Sequence, residues 1–238
     1  MKKKLIVYCL WGDSLMYWNG ALHNIELAKK YYPDYVCRFY IDKNSKQELI
    51  ETVKGDNVEV ILMESKEYIF NNQNSKFDHN GIFWRFLPLK EEDIDIILFR
   101  DCDSRISERE VTAVNEWLET DKDFHIMRDH PYHPWPILTG MWGCRNNKIP
   151  NIDDLLLKWE KHTKKGIYQA EDQDFLGQFI YPMTINNSVE HSEFGLRVGS
   201  QTKPFPTKRN NYEFVGDVFD ENNNRHPDYW GIIKRIEG

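Results

Sequence analysis

Apolar positions along the chain follow two periods. Residues 5–10 form an unbroken apolar run, which predicts a strand buried on both faces. Residues 19–31 place Ala21, Leu22, Ile25, Leu27 and Ala28 at near-helical spacing, and Pro33 ends that helix. A strand at 35–41, a short helix at 46–53 with Gly55 just past its end, and a strand at 58–63 follow. The polar stretch 71–80 reads as a loop, and 81–89 as a helix with Ile82, Phe83, Phe86 and Leu87 on one face. A fourth strand covers 95–99, and Ser107 with Glu110 forms a capping box opening a helix to about Leu118. Short strands at 124–127 and 137–142, helices at 152–162 and 174–180, and a further strand candidate at 183–189 come next. Residues 195–225 read as an irregular tail with short strands, before a last helix at 227–236. The early strand–helix alternation predicts an α/β fold with a mostly parallel sheet, whose ligands bind beyond the carboxyl ends of its strands.

Composition narrows the class. At 238 residues, one α/β domain suffices, and no linker, repeat or low-complexity block divides the chain. The net charge of −7 lowers the rank of a nucleic-acid partner. Aromatic residues reach 14 %, a usage that suits flat ligands such as bases and sugars. Nothing approaches the length of a membrane span. Lys2, Lys3 and Lys4 before an apolar run mimic a signal peptide, but the run stops at Gly12-Asp13 without a cleavage-like site, so a buried first strand is the reading. Cys9, Cys37, Cys102 and Cys144 form no CxxC pair and read as reduced thiols of a cytoplasmic protein.

The sharpest local signal is Asp101-Cys102-Asp103. Carboxylates at i and i+2 of an extended segment point the same way, and past a strand's carboxyl end they can hold a divalent cation or stand as solvated acids near a helix start. Arg85, inside Phe83-Trp84-Arg85-Phe86, can reach a phosphate or cover apolar neighbours with its stem. Glu171-Asp172-Gln173-Asp174 either caps a helix or sets an acid and an amide at a reacting centre. His191 is structural or a metal ligand; Lys203, in a Pro-stiffened loop, is exposed or clamps phosphate. Trp11 and Tyr17 flank Gly12-Asp13, where an aromatic can stack on a base and Asp13 can accept its hydrogen bonds. Asp129, His130 and His133 resemble a metal cluster, but the prolines around them argue for a rigid acceptor-facing loop.

In this order along the chain, these pieces resemble nucleotide-sugar glycosyltransferases of the GT-A fold, above all glycosyltransferase family 8 and its bacterial and viral relatives. The resemblance covers about residues 5–206. It implies a single GT-A domain, with residues 1–104 as nucleotide-binding half and 105–238 as acceptor and metal-completing half. It implies that Asp101, Asp103 and His191 bind Mn2+ or Mg2+, that Arg85 and Lys203 contact the donor diphosphate, and that Asp172 and Gln173 lie beside the anomeric carbon. Leu138-Thr139-Gly140 stands where that family has Asn-x-Gly. The implied activity is sugar transfer from a nucleotide diphosphate, a UDP-sugar, to a glycan hydroxyl with retention, in polysaccharide biosynthesis. The partners are then a nucleotide sugar and a glycan, with membrane contact only through the acceptor.

Two other classes stay open. A sugar-phosphate nucleotidyltransferase shares the α/β layout, but it needs a Gly-rich basic loop after the first strand, which Gly12-Asp13-Ser14 does not supply. A non-catalytic glycan-binding protein would use the aromatics alone.

Overall fold

The computed structural model describes residues 2–64, 80–162, 171–194 and 202–238. The expected loop at 71–79 lies outside these, as does the start of the irregular tail at 195–201.

The elements in chain order are β1 (Lys3–Leu10), α1 (Leu15–Tyr31), β2 (Tyr35–Asp42), α2 (Gln47–Ile50), β3 (Val58–Met63), a 3-10 helix (Asn80–Lys90), β4 (Ile94–Arg100), α3 (Glu108–Leu118), β5 (Phe124–Arg128), β6 (Met141–Arg145), α4 (Ile152–His162), α5 (Glu171–Phe175), a π-helical turn (Leu176–Ile180), α6 (Tyr181–Thr184), β7 (Ser188–Ser192), β8 (Thr202–Lys203) and α7 (Pro227–Glu237). The strands form one eight-stranded sheet in the order β3-β2-β1-β4-β6-β5-β7-β8. All neighbours pair parallel except β6, which runs antiparallel to both β4 and β5. The expected α/β class with a mostly parallel sheet is therefore present.

Continuous apolar strands at the sheet centre divide the core in two. On one face Ile6, Tyr8 and Leu10 pack with Trp18, Ala21, Ile25 and Trp117. On the other, Leu5, Val7 and Phe99 pack with Phe83, Phe86, Trp142 and Phe175. Phe99 and Trp142, cross-strand neighbours on β4 and β6, stack at 4.1 Å between centroids.

Some elements differ from expectation. The aromatic segment before β4 is 3-10 rather than α-helical, and it carries Pro88, which has no N–H to donate. The strand expected at 137–142 begins only at Met141, because Leu138–Met141 is a turn closed by the Met141 N–H on the Leu138 carbonyl, 3.1 Å. The strand after α6 is shifted to Ser188–Ser192. Ser107 caps α3 as the sequence indicated, its hydroxyl accepting from the Glu110 N–H at 3.3 Å. Among the described residues no helix is long and apolar enough to cross a membrane, and all four cysteines are free and buried.

Candidate active site

β4 ends at Arg100, and Asp101-Cys102-Asp103 continue past its carboxyl end. Cys102 turns into the core, 3 % exposed, its thiol 3.8 Å from the Cys9 carbonyl. The loop backbone is gripped from all sides. Gly20 of α1 lies against it so closely that a Cβ there would stand 1.8 Å from the Cys102 carbonyl oxygen. Arg105 donates to the Cys102 and Ser104 carbonyls at 3.0 and 2.9 Å, and Asn24 donates to Ser104 at 2.8 Å while accepting from the Ile106 N–H at 3.1 Å. Many hydrogen bonds to one short loop fix where its two carboxylates point.

Asp101, Asp103 and Ser104 line a cleft of about 130 Å3, together with His133, Leu138, Thr139, Gly140, Met141, Gln173, Gly216 and Val218. The Asp101 carboxylate is held between two groups. The buried Arg85 guanidinium donates to Oδ1 at 2.7 Å, and Oδ2 lies over the Cα of Gly140. The turn that carries Gly140 is tied in turn to α5, since the Thr139 N–H donates to Oε1 of Gln173 at 2.8 Å.

The electrostatics of the cleft are those of crowded acids. Burial pushes the Asp103 carboxyl up, and the negative charge of Asp101 adds to it. Burial also pushes the Asp172 carboxyl up to about 6, with the charge of Asp101 in the same direction and Arg85 opposing. Tyr17 follows the pattern: partial burial and then the charges of Asp103 and Asp101 raise its hydroxyl. Trp11, 44 % exposed, lies with its ring against Gly81, where a Cβ would come within 2.9 Å. Asp13 forms an exposed ion pair with Lys46 at 3.3 Å, a contact of little energetic weight.

The structure thus brings together Asp101, Asp103 and Gln173 in the cleft, with Arg85 and Asp172 adjoining. It does not bring His191 and Lys203 to them. His191 is fully buried in β7, its Nδ1 2.8 Å from Nε2 of His125 and its Nε2 3.1 Å from Oε2 of Glu116. Lys203 donates to the other oxygen of that same Glu116. The expected metal set of Asp101, Asp103 and His191 is not assembled, because both imidazole nitrogens of His191 face protein partners. Among the described residues no group of three or more His, Cys, Asp or Glu side chains converges on a metal position. The donor set that remains, two carboxylates with Gly140 leaving room for one of them, suits a hard cation of the Mg2+ or Mn2+ kind, which needs few protein ligands when phosphates supply the rest.

The sequence singles out His133, beside Asp129 and His130, but not Glu116. His133 was legible as part of a stiff loop. Glu116 carried no signal, being one more acid on α3, half-buried against β7.

No family model matches the sequence, and no curated protein matches it. Among solved structures, the chain is similar to the galactosyltransferase LgtC in complex with donor and acceptor sugar analogs, at 16 % identity, covering 79 % of this chain and 73 % of that one, with a TM-score of 0.45. It is similar to a glycosyltransferase involved in glycosylation of the major capsid of PBCV-1, at 13 % identity over 82 % of this chain and 83 % of that one, with a TM-score of 0.49. It is also similar to 4-diphosphocytidyl-2C-methyl-D-erythritol synthase from Anaerococcus prevotii, at 9 % identity over 85 % and 94 %, with a TM-score of 0.44. At these identities and TM-scores neither activity nor substrate passes from those proteins to this chain.

The Asp172 side chain yields a pH-dependent prediction. Its folded-state pKa lies above the ordinary value of 3.8. The carboxyl therefore favours folding when protonated, fully so below about pH 4, and that contribution is lost as pH rises through about 6. Asp172→Asn, which keeps the oxygen that accepts the Gln173 N–H at 2.9 Å, is expected to exceed the parent in stability by about 2–3 kcal/mol at pH 8. The gain should fade to nothing near about pH 4. Urea unfolding at the two pH values checks this. An equal difference at both would mean the carboxyl is not strained.

Proposed function

We propose that this protein is a metal-dependent glycosyltransferase that moves a sugar from a nucleotide diphosphate donor, a UDP-sugar, to a glycan hydroxyl with retention. The observation that carries this reading is the acidic pair at the carboxyl end of β4, lining a cleft with the buried Arg85 guanidinium on Asp101. Paired carboxylates repel a bare diphosphate, so they suit it only through a cation. Asp101 and Asp103 would hold that Mn2+ or Mg2+, which supplies charge neutralisation for the departing diphosphate.

The chain's own residues then divide the work. Trp11 and Tyr17, both exposed aromatics on the loop and helix that follow β1, are suited to stack on a base. Arg85 adds fixed positive charge where the leaving group gains its negative charge. Asp172 and Gln173 stand near Asp101 and the cleft, suited to the transferred sugar. The carbonyl oxygen of Gln173 already accepts from Thr139, so its amide presents N–H to the cleft and cannot take a proton. That supports retention. The acceptor oxygen attacks the anomeric carbon as its bond to the phosphate oxygen breaks, and the acceptor proton leaves on that phosphate oxygen. The reading places the reaction in polysaccharide biosynthesis in the cytoplasm.

The experiment is incubation with Mn2+ and a panel of nucleotide sugars, followed by proton NMR of the first product. Release of nucleoside diphosphate and a product with the donor's anomeric configuration are expected. Pyrophosphate-dependent exchange instead would favour a nucleotidyltransferase, and neither reaction a glycan-binding protein. Inverted product would sink the retention claim and move the proton-accepting role to a carboxylate such as Asp172.

A further inference from the structure

His133 sits on the loop after β5, and two features of that loop settle its chemistry. The Asp129 N–H donates to Nδ1 of His133 at 3.1 Å, so Nδ1 carries no proton and the ring proton resides on Nε2. His130, next along the turn, is fixed in the same tautomer: its Nδ1 accepts from the Tyr132 N–H at 3.0 Å, leaving Nε2–H to donate to the Tyr229 carbonyl at 3.1 Å. His133 differs in one respect. No described residue accepts from its Nε2–H, and the residue lines the cleft beside Asp101, Asp103 and Gln173. The amide of Gln173 is in the same condition, its oxygen engaged by the main chain and its NH2 without a described partner.

We propose that His133 is a specificity-determining residue whose Nε2–H donates to an oxygen of the acceptor saccharide. The proposal rests on the glycosyl-transfer reading above. Burial, and then the nearby His130 and Arg209, hold the His133 pKa down at about 3, so the ring stays a neutral donor at neutral pH and never an added positive charge. Leu138, Met141 and Val218 supply the apolar part of the cleft lining, with Gly216 at φ +84° packed against Met141 and the His133 ring. Cations on this side are already engaged: Arg109 and Arg209 both bind Asp129. A neutral donor over apolar side chains suits a sugar, with its hydroxyl and ring oxygens and its C–H face. It does not suit a phosphate, which would seek a cation.

The test labels the protein with 15N and records long-range ring correlations. The expected spectrum shows His133 with unprotonated Nδ1 and protonated Nε2, and its Nε2 signal shifts on addition of at least one of the methyl α- and β-glucosides and galactosides. In turnover, His133→Phe is expected to raise the acceptor KM about tenfold while UDP affinity with Mn2+ stays within about twofold, and His133→Gln, which keeps a donor, to recover part of the loss. A protonated Nδ1, an Nε2 signal unmoved by every glycoside, or a Phe variant with the parent's KM would overturn the proposal. A parent that binds no UDP and turns over no nucleotide sugar overturns the transfer reading instead, and the response of Nε2 to glycosides still decides the role of His133.

Discussion

Gly140→Ala is expected to lower kcat/KM for the nucleotide sugar by more than about a hundredfold while the protein stays folded. A Cβ at this position would lie 2.0 Å from Oδ2 and 2.4 Å from Cγ of Asp101, and 3.1 Å from its backbone N. The backbone of Asp101 is part of the loop gripped by Gly20, Arg105 and Asn24, so the carboxylate is what gives way. It then swings off Arg85, which cannot follow because its neighbours Phe83, Trp84 and Phe86 are buried in the core. Overpacking of this kind costs about 1–3 kcal/mol, enough to lower the melting temperature but not to unfold the protein. Gly177→Ala is the control, since nothing lies within 4 Å of a Cβ there. Thermal melts with steady-state kinetics check the pair. A Gly140→Ala enzyme with parental kinetics would mean that Asp101 has no fixed position to lose.

Asp103→Ala is expected to remove Mn2+-dependent UDP binding, by about a hundredfold or more, without loss of stability at neutral pH. The fold depends on the Asp103 backbone, whose carbonyl accepts from the Phe219 N–H at 2.9 Å, and truncation leaves that bond intact. Its side chain is instead a burden to the folded state, a half-buried carboxyl pushed up by desolvation and then by the charge of Asp101. Asp101→Ala, by contrast, strips the buried Arg85 of its partner and is expected to cost stability as well as binding. Calorimetry of UDP with and without Mn2+, beside chemical unfolding, separates these outcomes. If Asp103→Ala binds metal and UDP like the parent, the acidic pair is an ordinary solvated turn.

The parallel half of the fold was legible because each central strand is buried on both faces and so reads as a continuous apolar run. β6 was harder. Its residues 141–145 hold Met141, Trp142 and Cys144, but nothing local says that it runs against its neighbours, and the turn before it looked like strand because Ile137 and Leu138 are apolar. The acidic pair and Arg85 were legible as chemistry because a motif joins residue types that a fold alone does not require. His191 and Lys203 were not placed correctly by their types, since their neighbour Glu116 comes from α3, a distant stretch of sequence. Gly140 is the reverse case: the sequence offers it inside an expected strand and in the place of an Asn-x-Gly motif, but its contact with Asp101 comes from a turn that only the three-dimensional structure shows.

The wall formed by Gly216 and Val218, latched by Phe219 onto Asp103, has a temporal consequence. A nascent chain that has emerged as far as residue 104 already contains both aspartates, Arg85 and the strands that carry them. It still lacks Thr139, Gly140 and Gln173, and the closing wall lies more than a hundred residues behind. The cleft is thus completed only once residues 216–219 have emerged, rather than with the first folded strands, and a ribosome stalled short of residue 216 would hold a sheet with an open groove.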